Sequence, residues 1–105
     1  MVYQIRNWKK FQHYHDRNPP WIKLHFSLLA SQDWVTLDDT SRVLAVAIML
    51  LASRNKGEID GSPPGLAYLK RVAYLKRTPN LNPLITCGFL VPLADASTLQ
   101  AFDTQ

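Results

Sequence analysis

Two short stretches of this sequence concentrate basic side chains, which is the chemistry needed to hold phosphates. The stretch near the N-terminus carries Arg6, Lys9, Lys10 and Arg17 interleaved with Trp8, Phe11 and Tyr14. The second stretch carries Lys70, Arg71, Lys76 and Arg77. Basic side chains contact nucleic-acid phosphates, and an aromatic ring among them can stack on an unpaired base. We therefore expect these residues to grip a DNA backbone, duplex or single-stranded.

The position of the charge is more informative than its total. The 105 residues contain 12 Lys+Arg and 8 Asp+Glu, a net charge of +4. Residues 1–25 hold five basic residues and one acidic residue, and residues 54–77 hold six and two. Residues 78–105 hold no basic residue and two acidic ones. This excess permits a phosphate partner but does not demand one.

Residues suited to catalysis or metal binding are sparse. The candidate metal ligands are His13, His15, Asp16 and His25. Most of them lie in a polar, loop-like segment, and no further ligand recurs at a fixed spacing. Glu58 is the only glutamate, and the chain has no glycine-rich phosphate loop and no nucleophile motif. We expect no metal, no cofactor and no enzymatic activity.

Two features of composition bear on the compartment. Cys87 is the only cysteine, so the chain can form no internal disulfide, which fits a reducing compartment. The longest apolar run, residues 43–52, is about half the length that a membrane helix needs. We expect a cytoplasmic protein with no membrane partner.

The elements that position these side chains follow from apolar spacing and capping residues. Four helices are predicted, at residues 19–30, 38–54, 63 to 72 or 73, and 79–87. Asn18 and two prolines open the first helix, and Trp21 lies on its apolar stripe, so we expect Trp21 in the core. Residues 43–52 are apolar all round, which predicts that the second helix is the buried centre of the fold.

Strand-like segments flank these helices. In residues 1–12, Tyr3 and Ile5 alternate with polar residues, which predicts an extended arm that pairs with a strand elsewhere. Trp8 on this arm is expected in the core or in a self-association contact. Residues 57–61 predict a short strand, and residues 89–93 and 98–102 predict a hairpin.

A six-residue repeat marks the end of the third helix. Residues 66–71 and 72–77 both contain Ala-Tyr-Leu-Lys-Arg. Six residues rotate a helix by about 600°, so the two copies would face directions about 120° apart. We expect the helix to stop near Val72 or Ala73 and the second copy to form a turn.

This order of elements predicts an α+β, mainly α fold. The domain at residues 19–103 is expected to be a winged helix-turn-helix with a small antiparallel wing sheet, preceded by an N-terminal extended arm at residues 1–18. Its second motif helix, residues 79–87, offers Asn80 and Asn82, and asparagine can read adenine. That helix carries no positive charge, which predicts backbone gripping with little sequence reading.

Several stretches carry a family resemblance. They are residues 3–8 (YQIRNW), 12–24 (QHYHDRNPPWIKL), 33–34 (DW), 52–59 (ASRNKGEI) and 80–90 (NLNPLITCGFL). Together they resemble the N-terminal winged-helix domain of phage and prophage replication-associated proteins, which is similar to replication initiators and primosome components of the DnaD-like type. The resemblance covers nearly the whole chain. Members often continue past this domain, so we expect the chain to be part of a longer protein.

The resemblance implies a function in replication initiation or primosome assembly in a bacterial host cell. Implied partners are DNA, a second copy of the chain, and replication proteins such as a helicase or helicase loader. One alternative is a protein-interaction or oligomerisation module, because the uncharged helix at residues 79–87 also suits a protein surface. A further alternative is a transcriptional regulator, for which that helix offers little.

Overall fold

The computed structural model describes residues 1–11 and 20–93, and it is an α+β structure. Its strands are β1 (Val2–Ile5), β2 (Glu58–Asp60) and β3 (Leu90–Pro92). Its α-helices are α1 (Trp8–Phe11), α2 (Gln32–Thr36), α3 (Asp39–Ala52), α4 (Pro63–Val72) and α5 (Asn82–Thr86), with 3-10 turns at Phe26–Ala30 and Ser53–Asn55. None of the helices in these two ranges is both long and apolar enough to cross a membrane.

The three strands form one antiparallel sheet in the order β2-β1-β3. Tyr3 lies opposite Ile59 on one side and Pro92 on the other. The prediction that residues 1–12 pair with a strand elsewhere is confirmed. The segment is more than an arm, because β1 is the central strand and pairs on both sides. The predicted strand at residues 98–102 lies outside the described residues.

The core lies where three helices meet the sheet. Its fully buried side chains are Ile48 of α3, Leu69 of α4, Leu84 of α5 and Leu90 of β3. Each of these elements was predicted within a few residues, with α5 beginning at Asn82 rather than residue 79. Asp38 caps α3 by accepting the Ser41 backbone N–H at 2.9 Å. The apolar spacing and caps thus predicted most of the framework correctly.

The expectation that α3 is buried all round is wrong. Leu44, Ala45 and Ile48 are buried, whereas Val43 and Leu50 on the opposite face are exposed. A helix packed on one side only buries a single stripe at helical spacing. The apolar run at residues 43–52 therefore contains a buried stripe and a second apolar face that is exposed.

The helix predicted at residues 19–30 is also wrong. Residues 21–25 have no helical structure, and only the 3-10 turn at Phe26–Ala30 follows. Trp21 is 47% exposed rather than in the core, and Phe26 and Leu29 are exposed. A short helix in water is marginal unless its apolar face is buried, and much of this face is exposed to solvent.

Trp8 takes the position in the core that was expected for Trp21. It is 4% exposed and belongs to the central cluster with Ile5 and Ile59. The side chain packs over Gly57, where an added Cβ would lie 2.5 Å from the indole Cγ. This burial excludes the indole from a self-association contact.

Candidate nucleic-acid interface

An open groove runs along α4 and the turn that follows it, and three basic side chains line it. Lys70 and Arg71 come from the last turn of α4, and Lys76 comes from the turn. Tyr74 and Thr78 complete its polar wall, above apolar side chains that include Leu66, Ala67 and Leu75. The repeat therefore brings three of the predicted phosphate contacts to one surface.

The local sequence dictates this placement. Ser62 caps α4 by accepting the Gly65 backbone N–H, and Pro63 occupies the first turn, where its missing N–H costs nothing. The helix ends at Val72, as the repeat predicted. The second Lys-Arg pair consequently lies in the turn instead of about 1.7 turns further along the same helix.

The charge of this surface is not neutralised within the described part of the chain. The side chains of Lys70, Lys76 and Arg77 make no hydrogen bond or ion pair among the described residues. The Arg71 guanidinium lies 5.4 Å from the centre of the Tyr68 ring. No acidic residue occurs between Asp60 and Asp95 in the sequence. Arg77 is exposed beside Lys76 in the chain but does not line the groove.

Arg6 and Lys9, the N-terminal basic residues whose side chains are described, do not line the groove. Arg6 forms an ion pair with Asp33 and donates from Nη1 to the Gly88 carbonyl at 3.0 Å. Arg6 is exposed, but its guanidinium is already paired within the protein, where it joins the end of β1 to α2 and to the turn after α5. Lys9 is exposed on α1. The Lys10 side chain and all of Arg17 lie outside the described residues.

The two asparagines of the predicted reading helix have different positions. Asn82 is the first residue of α5 and is exposed. The Asn80 Oδ1 atom accepts the Asn82 backbone N–H at 3.1 Å. A bidentate contact to adenine needs both the amide oxygen and the amide nitrogen, so Asn80 is already partly committed. The short α5, with no basic residue, offers little for reading bases.

Two exposed aromatic residues were not among the predicted contacts, namely Tyr74, which lines the groove, and Tyr68, which lies beside Arg71 but does not line it. Tyr68 is 54% exposed on α4, and Tyr74 is 89% exposed in the turn. They occupy equivalent positions in the two copies of the repeat. The sequence places each tyrosine two residues before a Lys-Arg pair, which could have identified both as contacts. The two tyrosines differ in their surroundings only because α4 ends at Val72, between them.

A second cavity of about 200 Å³ lies between β1, the following turn and residues 23–33. Its walls are mostly apolar and include Trp8, Leu28 and Met49. The Trp8 Nε1 atom is buried and has no hydrogen-bond acceptor among the described residues. A buried donor without a partner destabilises the protein.

The residues with metal or catalytic chemistry are not assembled into a site in the described ranges. His25 is exposed immediately before the 3-10 turn, whereas His13, His15 and Asp16 lie outside the described residues. Residues 1–11 and 20–93 contain no cluster of three His, Cys, Asp or Glu side chains able to hold a metal ion. The Cys87 thiol donates to the Leu84 carbonyl at 3.5 Å, which fits a packing residue.

Comparisons with known proteins identify no relative of this chain. No protein-family model, no curated protein and no solved structure matches the chain.

Proposed function

We propose that this chain is a nucleic-acid-binding winged-helix domain that grips the DNA backbone with little sequence reading. The observation that carries the proposal is the groove along α4, where Lys70, Arg71 and Lys76 converge without an acidic neighbour in that stretch of sequence. Phosphate contacts of this kind supply affinity and position but carry no sequence information. The resemblance to phage replication proteins makes replication initiation or primosome assembly the proposed setting.

The order of elements supports the winged-helix part of the proposal. The sequence α3, β2, α4, turn, α5 and β3 is the order expected of a winged helix-turn-helix domain. In that arrangement α5 would be the reading helix. It has five residues and no basic one, so the affinity would come from α4 and the turn.

A salt series tests the proposal. Fluorescence anisotropy with a labelled duplex and a labelled single strand should show binding that weakens steeply as salt rises. Three or four neutralised phosphates predict a slope of about −3 to −4 for log K against log salt on duplex DNA. Lys76→Ala should reduce the magnitude of that slope by about 1.

Lys9→Ala is the matched control, because Lys9 is an exposed lysine that does not line the groove. Its slope should equal that of the wild type. An equal reduction in both variants would refute the assignment of binding to the groove. Undetectable binding at low salt would refute nucleic-acid binding altogether.

A protein-interaction or oligomerisation module is the second candidate, and the exposed apolar face of α3 favours it. Val43, Val46, Ala47 and Leu50 form a stripe at helical spacing beside Trp34. Exposed stripes of this kind often mark contact surfaces. Sedimentation analysis of the wild type and Leu50→Glu tests this candidate. A dimer that the substitution dissociates supports it, and a wild-type monomer at high concentration contradicts self-association. A transcriptional regulator remains the third candidate, with only α5 to read a site.

A further inference from the structure

Tyr74 occupies a backbone position that proteins usually give to glycine. The Leu75 N–H donates to the Lys70 carbonyl at 2.9 Å, and the Tyr74 N–H donates to the Arg71 carbonyl at 3.3 Å. These two bonds define a Schellman motif at the end of α4, and Tyr74 is its left-handed residue with φ of 56°. Glycine, and less often asparagine, is the usual residue at this position.

Nothing in the described fold compensates for a tyrosine at this position. A left-handed conformation strains a residue that has a Cβ, and it is a genuine outlier for a bulky side chain. Burial of the ring could offset the strain, but the ring is 89% exposed. Its counterpart Tyr68 adopts no such conformation, because it lies within α4. A strained backbone position that the described fold does not explain indicates a function other than folding.

The surroundings of Tyr74 indicate what the ring would contact. Tyr74 lines the same groove as Lys70, Arg71 and Lys76. A groove of cations with a protruding aromatic ring is the usual combination for single-stranded nucleic acids, where the cations follow the phosphates and the ring stacks on a base. In an intact duplex each base is already stacked and paired, so the ring would find no base face there.

We propose that Tyr74 is a stacking platform for an unpaired base and that the groove along α4 takes single-stranded nucleic acid. This inference rests on the proposed nucleic-acid function and narrows its substrate class. The turn after α4 places Tyr74 in the same groove as these cations, so the phosphates and one base would be engaged by neighbouring residues. The Tyr74 contact is independent of sequence, because every base presents a π-face.

The experiment separates the ring from the charges. Labelled oligothymidylate of about 12 nucleotides, an abasic strand of the same length and a duplex are titrated by anisotropy. The wild type should bind the thymidylate at least about 5-fold more tightly than the abasic strand, since stacking on an aromatic ring has at least that effect. Tyr74→Ala should abolish this preference and leave duplex binding within about 2-fold.

Three further variants act as controls. Tyr74→Phe should keep the preference because the ring remains. Tyr68→Ala, the equivalent position of the repeat outside the groove, should keep it as well. Lys76→Ala should weaken binding to all three ligands. An oligouridylate arm distinguishes RNA from DNA as the source of the strand.

The outcomes distinguish the two proposals. Wild-type binding to all three ligands with no loss in Tyr74→Ala overturns the stacking role and leaves the phosphate groove standing. An equal loss for duplex and single strand in Tyr74→Ala also overturns it, because the ring would then act without an unpaired base. Absence of wild-type binding to every ligand overturns both proposals, and capture of a protein partner through Tyr74 would then explain the exposed ring.

Discussion

Replacing tyrosine by glycine should have opposite effects on stability at the two equivalent positions of the repeat. Tyr74 has a left-handed backbone conformation at the end of α4, whereas Tyr68 lies within that helix. Glycine adopts the left-handed conformation without a steric penalty but weakens a helix interior. We expect Tyr74→Gly to be more stable than the wild type and Tyr68→Gly to be less stable.

The magnitudes follow from the surroundings of each residue. The left-handed conformation costs a residue with a Cβ about 1–2 kcal/mol, and glycine gives back about 0.5–1 kcal/mol in backbone entropy. Because the Tyr74 ring is almost fully exposed, little burial is lost. The net gain is about 0.5–1 kcal/mol, or a rise of about 2–6 °C in Tm. Tyr68→Gly loses about 0.5–1 kcal/mol through helix propensity and the Arg71 contact.

Thermal and urea unfolding followed by circular dichroism measure both effects. Tyr74→Ala is the matched control for the backbone, because it removes the ring but keeps the Cβ. Its stability should stay within about 0.5 kcal/mol of the wild type. A loss of stability in Tyr74→Gly comparable with that in Tyr68→Gly would refute the left-handed conformation and the strain argument built on it.

Three further predictions concern the sheet, the core and the cap of α3. Trp8→Ala should lose about 3–5 kcal/mol of unfolding free energy in urea, because it leaves a cavity in the core. Trp8→Phe should lose far less, because the phenyl ring keeps much of the buried apolar volume while the N–H that has no acceptor among the described residues is removed; equal losses would contradict this. Gly57→Ala should lose about 2–4 kcal/mol, because its φ is 81° and the new Cβ would lie 2.5 Å from the Trp8 ring; a melting temperature equal to that of the wild type would contradict it. Hydrogen bonds from the side chain of Ser41 and from its backbone N–H lower the pKa of Asp38 below its ordinary value of 3.8, so the stabilisation by this carboxylate is present above that pH and is lost as pH falls through the folded-state pKa. Asp38→Ala should therefore be less stable at neutral pH, with a gap in Tm that narrows in acid; a gap independent of pH would rule this out.

Local signals predicted the elements whose caps and spacing are written in consecutive residues. Asp38 begins α3, Ser62 and Pro63 begin α4, and the repeat ends α4 at Val72. Gly88, with φ of 88°, follows α5 and leads into β3. These features depend on contacts within a few residues, so they were visible without the fold.

The predictions for the first helix and for the buried tryptophan were wrong because they depended on which distant elements pack against those residues. The stripe containing Trp21 has the spacing of a helix, but the fold leaves much of it exposed to solvent, and residues 21–25 are not helical. The buried tryptophan is Trp8 instead, because β1 enters the sheet between β2 and β3 and places it over Gly57. Sequence spacing reports that a face is apolar but not whether another element covers it.

The features of the candidate site likewise fall into those that the sequence determines and those that depend on the tertiary structure. By itself the sequence determined that basic residues cluster in two blocks and that residues 79–87 carry no positive charge. Only the tertiary structure decided that Arg6 is paired with Asp33, 27 residues away, and that Lys70, Arg71 and Lys76 share one groove with Tyr74. Charge is a property of each residue, whereas its availability depends on which distant groups the fold brings beside it.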